Sequence, residues 1–299
     1  MASLRQIRGR IKSIQNSKQI MRAMQLVSGS KLKRSQDRLL QARQVLEFLD
    51  GMLARVLAST ANGGASPERQ RGTARALDHP LCRTREGSSA LVIFTSDAGL
   101  CGSYNTNLIQ LAESHLRRDS ARHTQLVFIG KRGWRYFTKR GSTAVEAHVD
   151  LAGRPNPAKA EAISRTLMQR FLDGRAASIS LLYSRFVSPS VYRPTVARWL
   201  PIEFSQQKAE GRRQEEYIFE PSAERVFEEL LPRWALAKFQ LTMLEAFTSE
   251  HSARMIAMKN ATDNAQDLLN GLTRQRNKIR QAAITKELSE IVGTAEALK

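Results

Sequence analysis

The chain has 299 residues, with 47 Lys or Arg against 28 Asp or Glu, which gives a formal net charge of +19. Such a positive field favours nucleic acid, anionic lipid or an acidic protein surface as a partner, without choosing among them. Two cysteines in this length exclude a disulfide framework. No segment approaches the roughly 18 apolar residues that a membrane-spanning helix needs, so no direct membrane span is expected.

The first 60 residues contain no proline and carry an apolar stripe with helical spacing. The stripe consists of Leu4, Ile7, Ile11 and Ile14, and farther on Leu39, Leu46, Leu49, Leu53 and Val56. Such a stripe must be buried against another helix, so we predict one long helix over residues 1–60. Its seam is interrupted by Lys18, Gln25 and Ser28, and polar seam residues weaken a free two-stranded coil.

The nine prolines all lie in the middle of the chain, which suggests a compact domain between two long helices. Residues 61–88 are rich in Gly, Ser, Arg and Pro and predict an exposed loop. Residues 89–205 alternate strands with helices, which predicts a Rossmann-like α/β domain with a parallel or mixed sheet. The predicted strands are 90–95, 125–129 and 178–183, and the predicted helices are 107–116, 134–139 and 158–172. The polar residues 206–216 predict another loop.

The C-terminal residues 217–299 predict a second long helix, because a stripe with similar spacing returns there. Its members are Ala265, Leu268, Leu272, Ile279, Ile284, Leu288, Ile291, Ala295 and Leu298. The simplest arrangement pairs the two ends of the chain as an antiparallel coiled coil. A helix of about 60 residues is ~90 Å long, so these helices project into solvent or are surrounded by partner protein. An ordinary solvated coiled coil remains an alternative.

The segment Ser96–Gly102, S-D-A-G-L-C-G, follows a predicted strand and is the main candidate for a chemical site. A Gly-rich turn between strand and helix can bind phosphate. This one lacks both the dinucleotide-binding spacing and the Lys-Ser/Thr pair of a P-loop, so a tight structural turn is favoured. No histidine has a telling relationship to Cys101, which argues against a nucleophile. We expect no catalytic residues, no metal and no cofactor.

Nucleic-acid binding is the competing function for the basic N-terminal helix. Residues 1–60 hold twelve Lys or Arg and three Asp or Glu, and such a helix can lie along phosphates. Phe48 is the only aromatic residue there, so stacking on bases is not expected. The apolar stripe on the same helix also demands a protein partner.

Three segments carry longer motifs. Asn16–Val27 reads N-S-K-Q-I-M-R-A-M-Q-L-V, and Asp97–Asn105 reads D-A-G-L-C-G-S-Y-N. The longest, Ser249–Ala265, reads S-E-H-S-A-R-M-I-A-M-K-N-A-T-D-N-A. Together they resemble the gamma subunits of F-type ATP synthases, and the resemblance covers essentially the whole chain.

This resemblance implies a non-catalytic rotor shaft. The terminal helices would turn inside a ring of three alpha and three beta subunits, and the central domain would dock with the epsilon subunit and the membrane c-ring. The complex would sit peripherally on the cytoplasmic face of the bacterial inner membrane, and no nucleic acid would be bound.

The resemblance also assigns roles to individual residues. Contacts to the alpha/beta ring fall on Met24, Arg254, Arg280, Gln281, Thr285 and Glu287. The family loop of the central domain contributes Asp97, Gly99, Leu100, Cys101, Gly102 and Asn105. Simpler readings stay open, since Arg280 suits a solvated coil position and Met24 suits a seam.

Four positions depart from the family pattern, namely Gln19, Met21, Lys259 and Arg276. They suggest a divergent branch, such as a second ATPase that is coupled to Na⁺ or biased towards hydrolysis. The coupling ion itself is chosen by the c subunit, so H⁺ and Na⁺ both stay open at this point.

Overall fold

A computed structural model describes residues 4–62, 79–118, 124–142, 144–154, 156–203 and 219–297. The helices are α1 (Leu4–Asn62), α2 (Tyr104–Arg118), α3 (Lys131–Thr138), α4 (Pro157–Leu172) and α5 (Ala223–Ala297). The strands are β1 (Ser89–Phe94), β2 (Thr124–Ile129), β3 (Ala144–His148), β4 (Ser178–Ser188) and β5 (Val191–Leu200). Within these described ranges, no helix combines the length and apolarity that crossing a bilayer requires.

The chain divides into two compact units. The smaller contains Met1–Ser30 and Arg254–Lys299, and the larger contains Lys31–Ala253. The larger unit is built on a five-stranded mixed sheet with strand order β3-β2-β1-β4-β5. Strand β1 pairs in parallel with both β2 and β4, whereas β5 pairs antiparallel to β4 at one edge.

The central strand β1 is buried on both faces, which explains its uninterrupted apolar sequence. Its alternate side chains Ala90, Val92 and Phe94 face a core shared with α1, α4 and α5. The intervening Leu91 and Ile93 face a second core shared with α2 and α3. The central domain therefore has helices on both faces of its sheet, as the alternating pattern predicted.

Within the larger unit, the later turns of α1 pair with the early turns of α5. The predicted seam residues Leu39, Leu46, Leu53 and Val56 are all buried. Trp234 donates from Nε1 to Asp50 over 2.7 Å, and Arg43 forms a 2.7 Å ion pair with Glu245. As residue numbers fall along α1 they rise along α5, so the two helices run antiparallel.

The smaller unit shows the same antiparallel pairing at the chain ends. Ile7, Ile11 and Leu269 form a small core, against which Ile14, Leu272 and Ile279 are packed. Lys18 donates a hydrogen bond to Gln266, and the Cα of Gly29 faces the Met255 sulfur. In each of these two pairs the residue numbers add up to 284, so both contacts belong to the same antiparallel register. The predicted antiparallel coiled coil of the two ends is confirmed.

The predicted C-terminal stripe was wrong in two places. Leu268 is exposed, and the neighbouring Leu269 occupies the seam with 8% exposure. The predicted continuation through Ile284, Leu288 and Ile291 is also exposed. In the observed register Leu4 lies level with about residue 280, so the last turns of α5 have no partner helix of this chain among the described residues.

Several element boundaries differ from the predictions. The sequence indicated three strands, and the two edge strands β3 and β5 were missed. The C-terminal helix begins at Ala223 rather than at 217, because Pro221 disfavours helix at the preceding residue. Ser222 then accepts the amide of Arg225 at 3.3 Å, as a helix cap does. The predicted loop 206–216 and most of the loop 61–88 lie outside the described residues.

Candidate functional site

Asp97 is the organising residue of the turn that follows β1. One carboxylate oxygen accepts the backbone amide of Lys131 at 3.0 Å and that of Asp150 at 3.2 Å. The other oxygen accepts the amide of Ala152 at 2.7 Å. Lys131 is the first residue of α3, so the negative charge also lies at the positive end of a helix. Asp97 therefore joins three separate segments of the central domain.

Asn105 holds the same turn from the side of α2. Its side-chain oxygen accepts the amide of Ser96 at 3.0 Å, and its Nδ2 donates to the Ser96 hydroxyl at 2.8 Å. The same Nδ2 lies 3.1 Å from the Cys101 sulfur. Ser96 and Cys101 are both buried. The polar side chains of Ser96 and Asn105 therefore satisfy each other within the turn.

The glycines and Leu100 give the turn its shape. A Cβ at Gly99 would lie 2.6 Å from the Arg132 guanidinium, so the end of that flexible side chain would have to shift. Leu100 has φ +63° and Gly102 has φ +56°, in the left-handed region that L side chains rarely adopt. Leu100 is also 59% exposed.

This geometry bears on the two interpretations of the turn, a phosphate site and a structural turn. A phosphate bound by this turn would need free amides at the start of α2, where the Tyr104 amide already donates to the Cys101 carbonyl at 3.2 Å. The Cys101 sulfur has the Ser96 hydroxyl and the Asn105 amide as neighbours, and neither is a general base. These contacts favour a tight structural turn.

The residues expected to contact a surrounding ring lie in the smaller unit. Met24 is half-buried and Arg254 is 9% exposed. The other four, Arg280, Gln281, Thr285 and Glu287, are exposed on α5. Arg254 and Arg280 are 26 residues apart on one helix, hence about 39 Å along its axis. The six positions therefore form no single pocket and mark separate levels of the shaft.

The exposed end of α5 combines apolar and polar side chains. Ile284, Leu288, Ile291 and Val292 are between 48% and 63% exposed. Of the sixteen large apolar residues that are exposed in the described ranges, eight lie in the smaller unit. Scattered exposed apolar residues are ordinary, but a concentration on a narrow helix pair is typical of a surface that meets another protein.

One group of buried polar residues was missed by the sequence reasoning. Ser249, His251 and Ser252 are at most 2% exposed and lie within the long S-E-H-S-A-R-M motif. The motif was noted for its resemblance alone. The available signal was the cluster of polar residues on what is otherwise an apolar helix, because buried polar groups must find hydrogen-bond partners.

Comparison with known proteins places this geometry in a family. The family profile described as ATP synthase matches residues 3–298. The ATP synthase gamma chain of Desulforamulus reducens is 40% identical over 300 residues, and that of Pelotomaculum thermopropionicum is 39% identical over 300. Each alignment covers 100% of both chains. The chain belongs to the ATP synthase gamma chain family.

Solved structures agree with the gamma chain fold. A chain of the Euglena gracilis mitochondrial ATP synthase aligns with a TM-score of 0.67 and 18% identity, over 99% of this chain and 94% of its own length. A chain from the central stalk and c-ring of the Tetrahymena thermophila enzyme aligns with a TM-score of 0.57 and 21% identity, over 81% and 99%. At these identities the comparison concerns the fold alone.

The motifs of this gamma chain therefore occupy two different settings. In the D-A-G-L-C-G turn, the Asp97 carboxylate is hydrogen-bonded within the central domain. The S-E-H-S segment is buried in the same domain. The N-terminal motif Asn16–Val27 and the region Arg280–Glu287 instead expose most of their side chains. If the motifs of a gamma chain serve a partner directly, these two regions are the ones whose side chains can reach it.

Proposed function

We propose that the chain is the central-stalk gamma subunit of an F-type ATP synthase and couples ion flow through a membrane ring to ATP synthesis or hydrolysis by rotation. The observation that carries the proposal is the full-length match to gamma chains, together with the antiparallel pairing of the chain ends. A long antiparallel pair of helices suits a shaft.

The seam of the shaft supports a surrounding ring of three alpha and three beta subunits. Lys18, Gln25 and Ser28 lie in the seam, and Lys18 is hydrogen-bonded to Gln266 across it. Polar seam layers weaken a free coiled coil, so a protein sleeve offers stability that the pair lacks by itself. The exposed apolar residues from Ile284 to Val292 would then be buried by that sleeve.

Charge supports the same partners. The first acidic residue of the chain is Asp37, and nine Lys or Arg precede it. Complementary acidic loops on the ring would be attracted to this helix and would steer assembly. The same charge explains why a nucleic-acid binder was a reasonable alternative from composition, although the helix pairs its apolar face with protein.

The mechanism that follows is mechanical. An antiparallel pair of unequal helices has no rotational symmetry, so three identical sites around it meet three different surfaces. A site's nucleotide affinity changes only as far as the shaft contacts its conformations differently. Turning the shaft would present each surface to each site in sequence. The gamma chain would make and break no bond, and the catalytic groups would belong to the ring.

The remaining partners follow from the family. We propose that the central domain binds the epsilon subunit and the membrane c-ring, which holds the chain peripherally at the cytoplasmic face of the bacterial inner membrane. Met24, Arg254, Arg280, Gln281, Thr285 and Glu287 are proposed as ring contacts.

The test is reconstitution with alpha and beta subunits. The expected result is a stable complex with ATPase activity, in which a bead on the central domain rotates in one direction when ATP is added. A natural attachment point is Ser114→Cys, because Ser114 is exposed on α2 while the native Cys101 is buried. Failure to form a complex, or a complex that hydrolyses ATP without rotation of the bead, would overturn the proposal.

A further inference from the structure

The buried side chains of α5 change from apolar to polar along the part of the helix that packs on the central domain. Phe227, Leu231, Phe239 and Met243 belong to the apolar core beneath the sheet. From Glu245 to Ser252 the buried side chains are instead largely polar. Apolar packing alone would bury the helix, so the polar stretch calls for a separate explanation.

Three polar side chains in this stretch bind the backbone of the central domain. The Ser249 hydroxyl donates to the carbonyl of Ser184 in β4 over 2.9 Å. The Ser252 hydroxyl donates to the carbonyl of Pro189, in the turn between β4 and β5. His251 Nε2 lies 2.9 Å from the carbonyl of Gly153, and because a carbonyl can only accept, this nitrogen must carry the proton.

The His251 contact depends on a close approach of the loop 150–153. Gly153 has φ +64°, and a Cβ there would lie 2.8 Å from the imidazole Cε1. The amides of Asp150 and Ala152 in the same loop are held by Asp97. A continuous chain of contacts thus joins the S-E-H-S segment of α5 to the D-A-G-L-C-G turn after β1.

Two further contacts flank these three. The Ala246 carbonyl accepts the Tyr104 hydroxyl from α2 over 3.0 Å. Glu245 is paired with Arg43, whose guanidinium also donates to the Phe186 carbonyl of β4 over 2.8 Å. The helix is therefore fixed from α1, α2, β4 and two loops.

Hydrogen bonds of this kind restrict rotation of a helix about its own axis. A side-chain tip about 5 Å from the axis moves about 0.6 Å in a rotation of about 7°, which stretches a 2.9 Å hydrogen bond to its 3.5 Å limit. Apolar contacts are non-directional and tolerate such a rotation at little cost.

We propose that Ser249, His251 and Ser252 form a polar latch that sets the rotational position of α5 on the central domain, so that the helix and the domain turn together under load. These are positioning residues for coupling, and the inference rests on the proposed rotor function. It explains why the segment is polar although it is buried, and why the loop 150–153 joins the two motifs.

The experiment uses the full chain assembled with alpha and beta subunits, with a gold bead on Ser114→Cys and the ring fixed to glass. The angular spread of the bead during a catalytic pause reports the torsional stiffness of the rotor. The test variant is Ser249→Ala with Ser252→Ala and His251→Leu. If the five contacts act as independent parallel springs, removing three leaves roughly two-fifths of their stiffness, so the angular variance that they control should rise about 2.5-fold.

Two controls separate positioning from general destabilisation. The first control replaces His251→Leu in the test variant by His251→Gln, whose side-chain amide keeps a donor near the position of Nε2. The angular spread should then be narrower than with His251→Leu. Leu231→Ala weakens the apolar core of the same helix and lowers the unfolding temperature without removing a directional contact. It should leave the angular spread unchanged.

The outcomes distinguish the two proposals. A complex that assembles and rotates with a wider spread in the test variant alone supports the latch. The same spread in the test variant and the wild type, or equal widening in Leu231→Ala, would overturn it while leaving the rotor function intact. Absence of assembly or rotation in the wild type would instead overturn the proposed function.

Discussion

Removal of the Asp97 carboxylate should release the loop 150–153 from the central domain. Asp97→Ala deletes the acceptor for the amides of Lys131, Asp150 and Ala152, which it binds at 3.0, 3.2 and 2.7 Å. Asp150 and Ala152 have φ +61° and +50°, a conformation that costs about 1–2 kcal/mol per residue without support. The loop therefore depends on this carboxylate for its shape.

The size of the effect follows from these contacts. Hydrogen bonds to a charged group contribute about 1.5–3 kcal/mol each when buried, and Asp97 is only half-buried. The three share one carboxylate, and release of the loop relieves its backbone strain, so the sum is reduced. We expect the free energy of unfolding to fall by about 2–4 kcal/mol for Asp97→Ala. Asp97→Asn keeps one acceptor oxygen and should lose about half as much.

The assay combines urea unfolding with amide hydrogen exchange on the isolated full chain. Protection should be lost at the amides of Asp150 and Ala152, while the strands β1 and β2 keep theirs. Asp263→Ala is the matched control, because Asp263 is an exposed carboxylate on α5, and it should change stability by less than about 0.5 kcal/mol. Unchanged exchange at both loop amides in Asp97→Ala would refute the reasoning.

Three further predictions concern the shaft and the native thiols. Arg280→Ala should leave the unfolding temperature unchanged, because Arg280 is exposed, but should lower ATP synthesis or assembly in the complex; full coupled synthesis would count against its role. Lys18→Leu should stabilise the isolated chain by about 1 kcal/mol in urea titrations, because an apolar side chain replaces a polar one in the seam; a loss of stability would contradict the register. Burial raises the pKa of the Cys82 thiol to about 11 from its ordinary 9.0, so alkylation at pH 8 should be roughly 100-fold slower than in the unfolded chain, and equal rates would refute this.

The long helices could be predicted because a stripe repeated every three and four residues leaves little alternative. The spacing of the apolar residues is easier to predict than which of them face the partner helix, as Leu268 and Leu269 show. The observed seam of α5 steps through Ala265, Leu269, Leu272 and Arg276, and the Arg occupies a position where apolar spacing gave no signal. The adjacent Leu268 was chosen in error because either leucine fits a helical period.

The edge strands were missed for a related reason. β5 contains Pro194 and two arginines, Arg193 and Arg198, which suit an edge strand but mask the apolar alternation. The roles of Asp97 and His251 were also beyond the sequence. Their partners are backbone groups of Lys131, Asp150, Ala152 and Gly153. Because almost every residue has the same backbone groups, the sequence does not indicate which ones a side chain will bind.

The whole account depends on the N-terminal helix lying antiparallel to the C-terminal helix with residue numbers that sum to about 284. The direct measurement is cross-linking of the full chain with a short bismaleimide after paired cysteine substitutions. Lys18→Cys with Gln266→Cys should cross-link efficiently, since these side chains are hydrogen-bonded. Lys18→Cys with Thr285→Cys should not, because Thr285 lies 19 residues farther along α5, about 28 Å away. No product from the first pair, or equal product from both, would contradict the shaft.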